Sequence, residues 1–226
     1  MKAILFVLLI ASVVTAQAET IRILFLGNSH TATGNVPEQV KVLLAKPGRT
    51  VEAQFISCGL LQDIGQNAQV HNAIKTGKFD VVVLQGAGLS QSHKYVYPTD
   101  GAITLAKLAK EYEARVLLFA EWSRAGIDET PYTLGVYGAI AKAARAEIVP
   151  VCKAFDQARK KDPSLALLSS DGIHANQVGA YLASCTLATA IDPKAPLNYV
   201  ANGVSTVIAN MLKGVARETK VIPAPK

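Results

Sequence analysis

The sequence predicts an α/β fold, a three-layer α/β/α sandwich around a parallel sheet of about five strands. Three observations lead there. Short runs of branched and apolar residues, such as Ile21–Leu26 and Phe79–Leu84, read as strands buried on both faces, as in a parallel sheet. Segments with helical patterning alternate with these runs. The chain has 226 residues, enough for one domain with a substantial core, and shows no internal repeat or low-complexity linker.

Residues 1–18 stand apart from that domain. Lys2 is a minimal positive start, Ala3 to Val14 is apolar, and Ala16-Gln17-Ala18 is an A-x-A cleavage pattern. The apolar stretch is shorter than the ~20 residues that a membrane span needs, so a cleaved leader is expected rather than an anchor. No cysteine follows the small residues, which argues against a lipoprotein. The expected product is a secreted or periplasmic single domain, residues 19–226, starting at Glu19 and without stable membrane insertion.

The first strand, Ile21 to Leu26, is interrupted only by Arg22 and ends at Gly27-Asn28-Ser29-His30-Thr31. Gly27 and Asn28 are turn formers. Ser29 therefore sits just past the strand's C-terminal end, the edge where ligands bind in open α/β sheets. A helix follows over Val36 to Ala45, capped by Asn35, with Pro37 in its first turn and Pro47-Gly48 ending it. Thr50 to Ser57 alternates as a second strand and stops at Cys58-Gly59. Leu61 to Thr76 reads as one helix, with Gly65 its weak point. Phe79 to Leu84 is the third strand, followed by a long polar loop, Gln85 to Pro98. Thr99 to Tyr112 is helical, and Arg115 to Ala120 is the fourth strand. The loop Glu121 to Pro131 carries the only tryptophan, Trp122. An Ala-rich helix spans Tyr132 to Ala146. Ile148 to Val151 is a fifth strand whose Pro150 suits a sheet edge. Helices are expected over Ala154 to Lys161, Asn176 to Ile191 and Gly203 to Arg217. The tail to Lys226, with Pro223 and Pro225, is expected to be mobile. A flavodoxin-like strand order, 2-1-3-4-5, fits this succession.

Composition narrows the function classes. The formal charge is +6, or +5 once Lys2 is removed, and the basic residues are scattered, with no run longer than Arg159-Lys160-Lys161. Nucleic-acid binders concentrate their charge on one face, so no nucleic-acid partner is expected. The three cysteines, Cys58, Cys152 and Cys185, lie in apolar surroundings and read as buried thiols, and no C-x-x-C or His-rich spacing suggests a metal site.

The chemistry lies in two blocks. Ser29 offers a hydroxyl at the sheet edge. Asp171-Gly172-Ile173-His174 follows the apolar stretch Leu165 to Leu168 and precedes a helix. An Asp and a His three residues apart in one turn can both face that edge. The imidazole then takes the serine proton while the carboxylate orients the ring. Position 31 is Thr rather than Gly, so Ser29 is not on the nucleophile elbow of α/β-hydrolases.

Gly27-Asn28-Ser29 with Asp171-x-x-His174 resembles the SGNH hydrolases, also called GDSL-like esterases, and within them an exported family with a GNS motif. The resemblance implies a serine esterase with Ser29 as nucleophile, His174 as general base and then acid, and Asp171 as its orienter. It implies oxyanion donors at the Ser29 N–H, at Gly59 after the second strand, and at an asparagine of a Gly-x-Asn motif after the third. This chain has Leu84-Gln85-Gly86 there, which makes Gln85 the candidate third donor, expected on the open strand edge. The implied substrate is a short acyl ester, an acetyl group above all, on a small molecule or a glycan, with no metal or cofactor. Alternatives are a non-catalytic carbohydrate-binding module on the same fold, a lysophospholipase or a thioesterase. His30 reads as a poor base for Ser29, His93 as a solvated loop residue and His71 as structural. Trp122 either stacks on a sugar or acyl group or caps the core.

Overall fold

The computed structural model describes residues 19–225, so the expected leader, residues 1–18, lies outside the described residues. Five strands form one parallel sheet: β1 (Glu19–Gly27), β2 (Arg49–Ser57), β3 (Val81–Leu84), β4 (Arg115–Ala120) and β5 (Glu147–Pro150). Their order is β2-β1-β3-β4-β5, as the alternation of strands and helices predicts. Pro150 ends the edge strand β5, where its missing N–H breaks no ladder.

Strand side chains alternate between the two faces, and the core divides accordingly. Ile23, Phe25, Val83, Leu117, Phe119 and Val149 pack under α2 (Val36–Leu44), α7 (Val151–Lys161), α8 (Gln177–Ile191) and α9 (Thr206–Glu218). Leu24, Leu26, Val82, Leu84, Leu118 and Ile148 pack under α4 (Ala68–Thr76), α5 (Asp100–Glu111) and α6 (Thr130–Ala144). Each such side chain contributes roughly 1.5–3 kcal/mol by leaving water. Helix α8 is buried from Gly179 through Ala188, which fits a sequence apolar on all sides.

Three local expectations are corrected. The helix expected over Leu61 to Thr76 is two helices, α3 (Leu61–Ile64) and α4. Asn67 restarts the helix, because its Oδ1 accepts from Gln69 N–H at 2.9 Å and Val70 N–H at 3.1 Å. Ser29 opens a single helical turn, α1 (Ser29–Ala32), where only a loop is expected. The tail is tied down: Ile148 and Ile222 exchange backbone hydrogen bonds of 3.0 and 2.9 Å along the outer edge of β5. Among the described residues no helix is long and apolar enough to cross a membrane.

Candidate active site

Every strand delivers its following loop to one edge of the sheet, and the candidate residues gather there. Ser29 Oγ lies 2.8 Å from His174 Nε2, and His174 Nδ1 lies 2.6 Å from Asp171 Oδ2. A carboxylate only accepts, so Nδ1 carries the ring proton and Nε2 is left to accept from the Ser29 hydroxyl.

The turn bearing Asp171 and His174 is fixed from several sides. Asp171 Oδ1 accepts the N–H groups of Ile173 and His174 at 2.9 and 3.0 Å. The imidazole bond, then these two backbone bonds, hold the Asp171 carboxyl at about 2. Ala125 N–H donates to Gly172 O at 2.8 Å, and the Trp122 indole donates to Ile173 O at 2.9 Å. Trp122 is 3 % exposed and stacks on Phe155 with centroids 4.7 Å apart, so it caps the core and steadies the His174 turn.

Two backbone N–H groups, of Ser29 itself and of Gly59, belong to this edge. Cys58 N–H donates to Gly27 O at 2.7 Å, which draws Gly59 alongside the Ser29 turn. Neither the Ser29 N–H nor the Gly59 N–H donates to another described residue. A cavity of about 190 Å³ opens next to this turn, lined among others by Asn28, His30, Leu60, Ala87, Trp122 and Ile173. Gln91, Arg124 and Glu129 add polar and charged groups to its wall.

No protein-family model matches the chain, and neither does any curated protein. Solved structures do. An SGNH hydrolase from Slackia heliotrinireducens superposes with a TM-score of 0.61 at 22 % identity, over 76 % of this chain and all of that one. A lipase/acylhydrolase from Enterococcus faecalis gives 0.53 at 16 %, over 80 % and 100 %. The esterase EstA from Pseudoalteromonas sp. gives 0.52 at 13 %, over 76 % and 97 %. This chain has the SGNH hydrolase fold.

Within that SGNH fold, Gln85 is not where the sequence reading puts it. The residue is fully buried rather than on an open edge. Its Oε1 accepts from Asn28 N–H at 3.0 Å and from the Thr31 hydroxyl at 2.9 Å, and its Nε2 lies 3.5 Å from Glu121 Oε1. The amide therefore sits beneath the Ser29 turn and anchors it. Gly27 permits this: a Cβ there would lie 2.3 Å from Thr31 Oγ1 and 2.9 Å from Gln85 Oε1.

The sequence reading also misses Glu121 and Tyr137. Glu121 Oε2 accepts from the Tyr137 hydroxyl at 2.5 Å, and that hydroxyl accepts from the N–H groups of Gly86 and Ala87 at 3.2 and 3.3 Å. Burial raises the Glu121 carboxyl to about 7. The available signal is positional: Gln85 and Glu121 each directly follow the apolar run that ends a strand, and those strands are neighbours. Of the other histidines, His71 Nε2 bonds Gly65 O at 2.7 Å and is structural. His93 is an exposed loop residue, as expected, although it also stacks on Tyr132 and lies 3.1 Å from Glu129 Oε1. His30 sits between Trp122 and His174, with centroids 5.1 and 5.3 Å away. All three thiols are unpaired, and burial pushes Cys58 up to about 11 and Cys152 and Cys185 to about 12.

Proposed function

We propose that this protein is an exported serine esterase acting on short acyl esters, with acetyl groups on carbohydrates as the leading substrate class. The observation that carries the reading is the unbroken relay from Ser29 Oγ through His174 to Asp171, at 2.8 and 2.6 Å. Ser29 Oγ attacks the ester carbonyl carbon while His174 Nε2 takes its proton. The carbonyl electron pair moves onto oxygen, where the Ser29 and Gly59 N–H groups await it. Collapse breaks the bond to the alcohol oxygen, which leaves with the proton from His174. Water then attacks the acyl-serine by the same route, releasing the acid and restoring Ser29. Asp171, held at about 2, stays ionised throughout the range in which a histidine works as a base.

Cavity size and lining support the substrate choice. About 190 Å³ is below the usual size of a ligand pocket and suits a small acyl group rather than a long chain. Gln91, Arg124 and Glu129 supply polar groups suited to a hydroxylated alcohol. The leader pattern supports export.

A reactive-serine phosphonate probe, combined with a panel of aryl esters of increasing acyl length, tests the reading. Labelling at Ser29 that Ser29→Ala abolishes, with rates highest for acetate and propionate, is the expected result. A folded protein that never labels and never turns over would instead be a binding module.

A further inference from the structure

Two backbone N–H groups serve as oxyanion donors in the serine-esterase reading. Gln85, the candidate for the third, is fully buried, with its Oε1 anchoring Asn28 and its donor Nε2 turned toward Glu121. We infer that the side-chain amide of Asn28 is the third oxyanion donor and that His30 holds it in the donating orientation. This inference rests on the serine-esterase reading above.

Asn28 is pinned at every polar group but one. Its backbone N–H goes to Gln85 Oε1 at 3.0 Å. Its backbone O accepts from Thr31 and Ala32 N–H, each at 3.0 Å. Its Oδ1 accepts His30 N–H at 3.0 Å and faces His30 Nδ1 at 3.3 Å. The His30 N–H can only donate, so the end of the amide that faces it is Oδ1, and an imidazole protonated on Nδ1 adds a second donor to the same atom. Burial, then the neighbouring His174, hold His30 at about 4. It therefore stays neutral while His174 passes through its charged form. The amide nitrogen Nδ2 has no acceptor among the described residues.

That nitrogen lies where the loops after β1, β2 and β3 meet. A Cβ built on Gly86 would stand 3.2 Å from Asn28 Nδ2 and 3.1 Å from Gly59 O. Gly86 has φ +104, a conformation open to glycine, which lets its backbone come this close. Asn28 also lines the 190 Å³ cavity between His30 and Leu60. Leu60 and Ala87, from the segments after β2 and β3, line the same cavity, and Asn28 and Leu60 are the chain neighbours of Ser29 and Gly59. A polar residue after β3 serves as support, and the residue before the nucleophile donates in its place.

Asn28→Asp in the full chain isolates the claim. Aspartate caps a helix about as well as asparagine and keeps the acceptor for His30 N–H, but it has no donor and puts negative charge beside the oxyanion. Against an aryl acetate, kcat should fall ~10²- to 10³-fold with KM within a few-fold and the thermal midpoint near wild type. Rates are compared on the high-pH plateau of each profile, so that altered titration of the base is not counted as a lost donor. His30→Phe keeps the contact with Trp122 and the backbone N–H bond to Asn28 Oδ1 but removes the Nδ1 contact, and should lower kcat by a smaller factor, again without a matching change in KM. If Asn28→Asp does not fold, Asn28→Ser replaces it, since serine caps but its hydroxyl is too short to reach the oxyanion. A folded variant at position 28 with near wild-type kcat, or a loss confined to KM, overturns the inference alone. A wild-type protein that neither hydrolyses esters nor labels at Ser29 overturns both it and the esterase reading.

Discussion

Burial places the Glu121 carboxyl in conflict with its charge. Its ordinary value is 4.5, and the fold raises it to about 7, chiefly by desolvation, with the Tyr137 hydroxyl opposing the shift. Between those pH values the folded protein holds a proton that the unfolded chain has released. Unfolding then sheds a proton, so stability falls as pH rises from about 4.5 to about 7, and the full cost applies above that. A shift of this size corresponds to ~3 kcal/mol at most. Glu121→Gln removes the titration and keeps an acceptor for Tyr137. Its thermal midpoint should gain on wild type steadily from pH 5 to pH 8. Parallel midpoint curves for the two proteins would show that Glu121 does not titrate in this range. The same burial sets Gln85 apart from the exposed loop residue that its sequence position suggests. An amide after a strand looks like a loop residue, and only its neighbours Asn28, Thr31 and Glu121 make it a support.

The N-terminus of helix α8 is tied to the Asp171–His174 turn through Asn176, two residues after His174. Asn176 Oδ1 accepts from Val178 and Gly179 N–H at 2.9 and 3.0 Å. Its Nδ2 donates to Ala166 O at 2.9 Å and Leu168 O at 3.3 Å. One side chain thus caps the helix and clasps the segment that leads into Ser169 and Asp171. Asn176→Ala should cost ~0.5–2 kcal/mol through the cap alone. Asn176→Asp keeps the cap but loses both donors, so its urea midpoint should fall between wild type and alanine. It should also lower activity more than its stability loss explains, because the His174 turn loosens. An Asn176→Asp midpoint equal to wild type would mean that the clasp contributes nothing. The split between α3 and α4 has a similar origin, since the competing cap at Asn67 outweighs an apolar pattern that continues across it.

At the scale of the molecule, Glu19 is already part of β1. Its N–H donates to Gly48 O at 2.8 Å, and its carboxylate pairs with Arg49 at 2.8 Å, while Arg49 also holds Asp192 at 2.6 Å. Cleavage after Ala18 would leave this ordered residue as the new N-terminus. Intact mass of the exported protein should correspond to a chain starting at Glu19, and a product retaining Met1 would argue for an anchored form. At the other end, the Ile148–Ile222 pairing covers the outer edge of β5, which blunts a strand that would otherwise offer free backbone groups.

What the sequence by itself determined is the frame: the strand runs, their parallel order, and the two blocks that bring Ser29, Asp171 and His174 to one edge. These follow from local pattern, because buried parallel strands read as continuous apolar runs and strand ends must face the same way. Only the tertiary structure decided which polar groups at that edge are free. Gln85, Asn28, Glu121 and Trp122 all follow strands, or stand at their ends, and look alike in sequence. Their roles diverge through partners 36 to 57 residues away in the chain, in bonds such as Asn28 to Gln85 and Gln85 to Glu121. A hydrogen bond saturates a donor or acceptor, so the side chain left unpaired is set by which neighbours the packing supplies. That choice is non-local, and it turned Gln85 into a support and left the Asn28 amide nitrogen without an acceptor among the described residues.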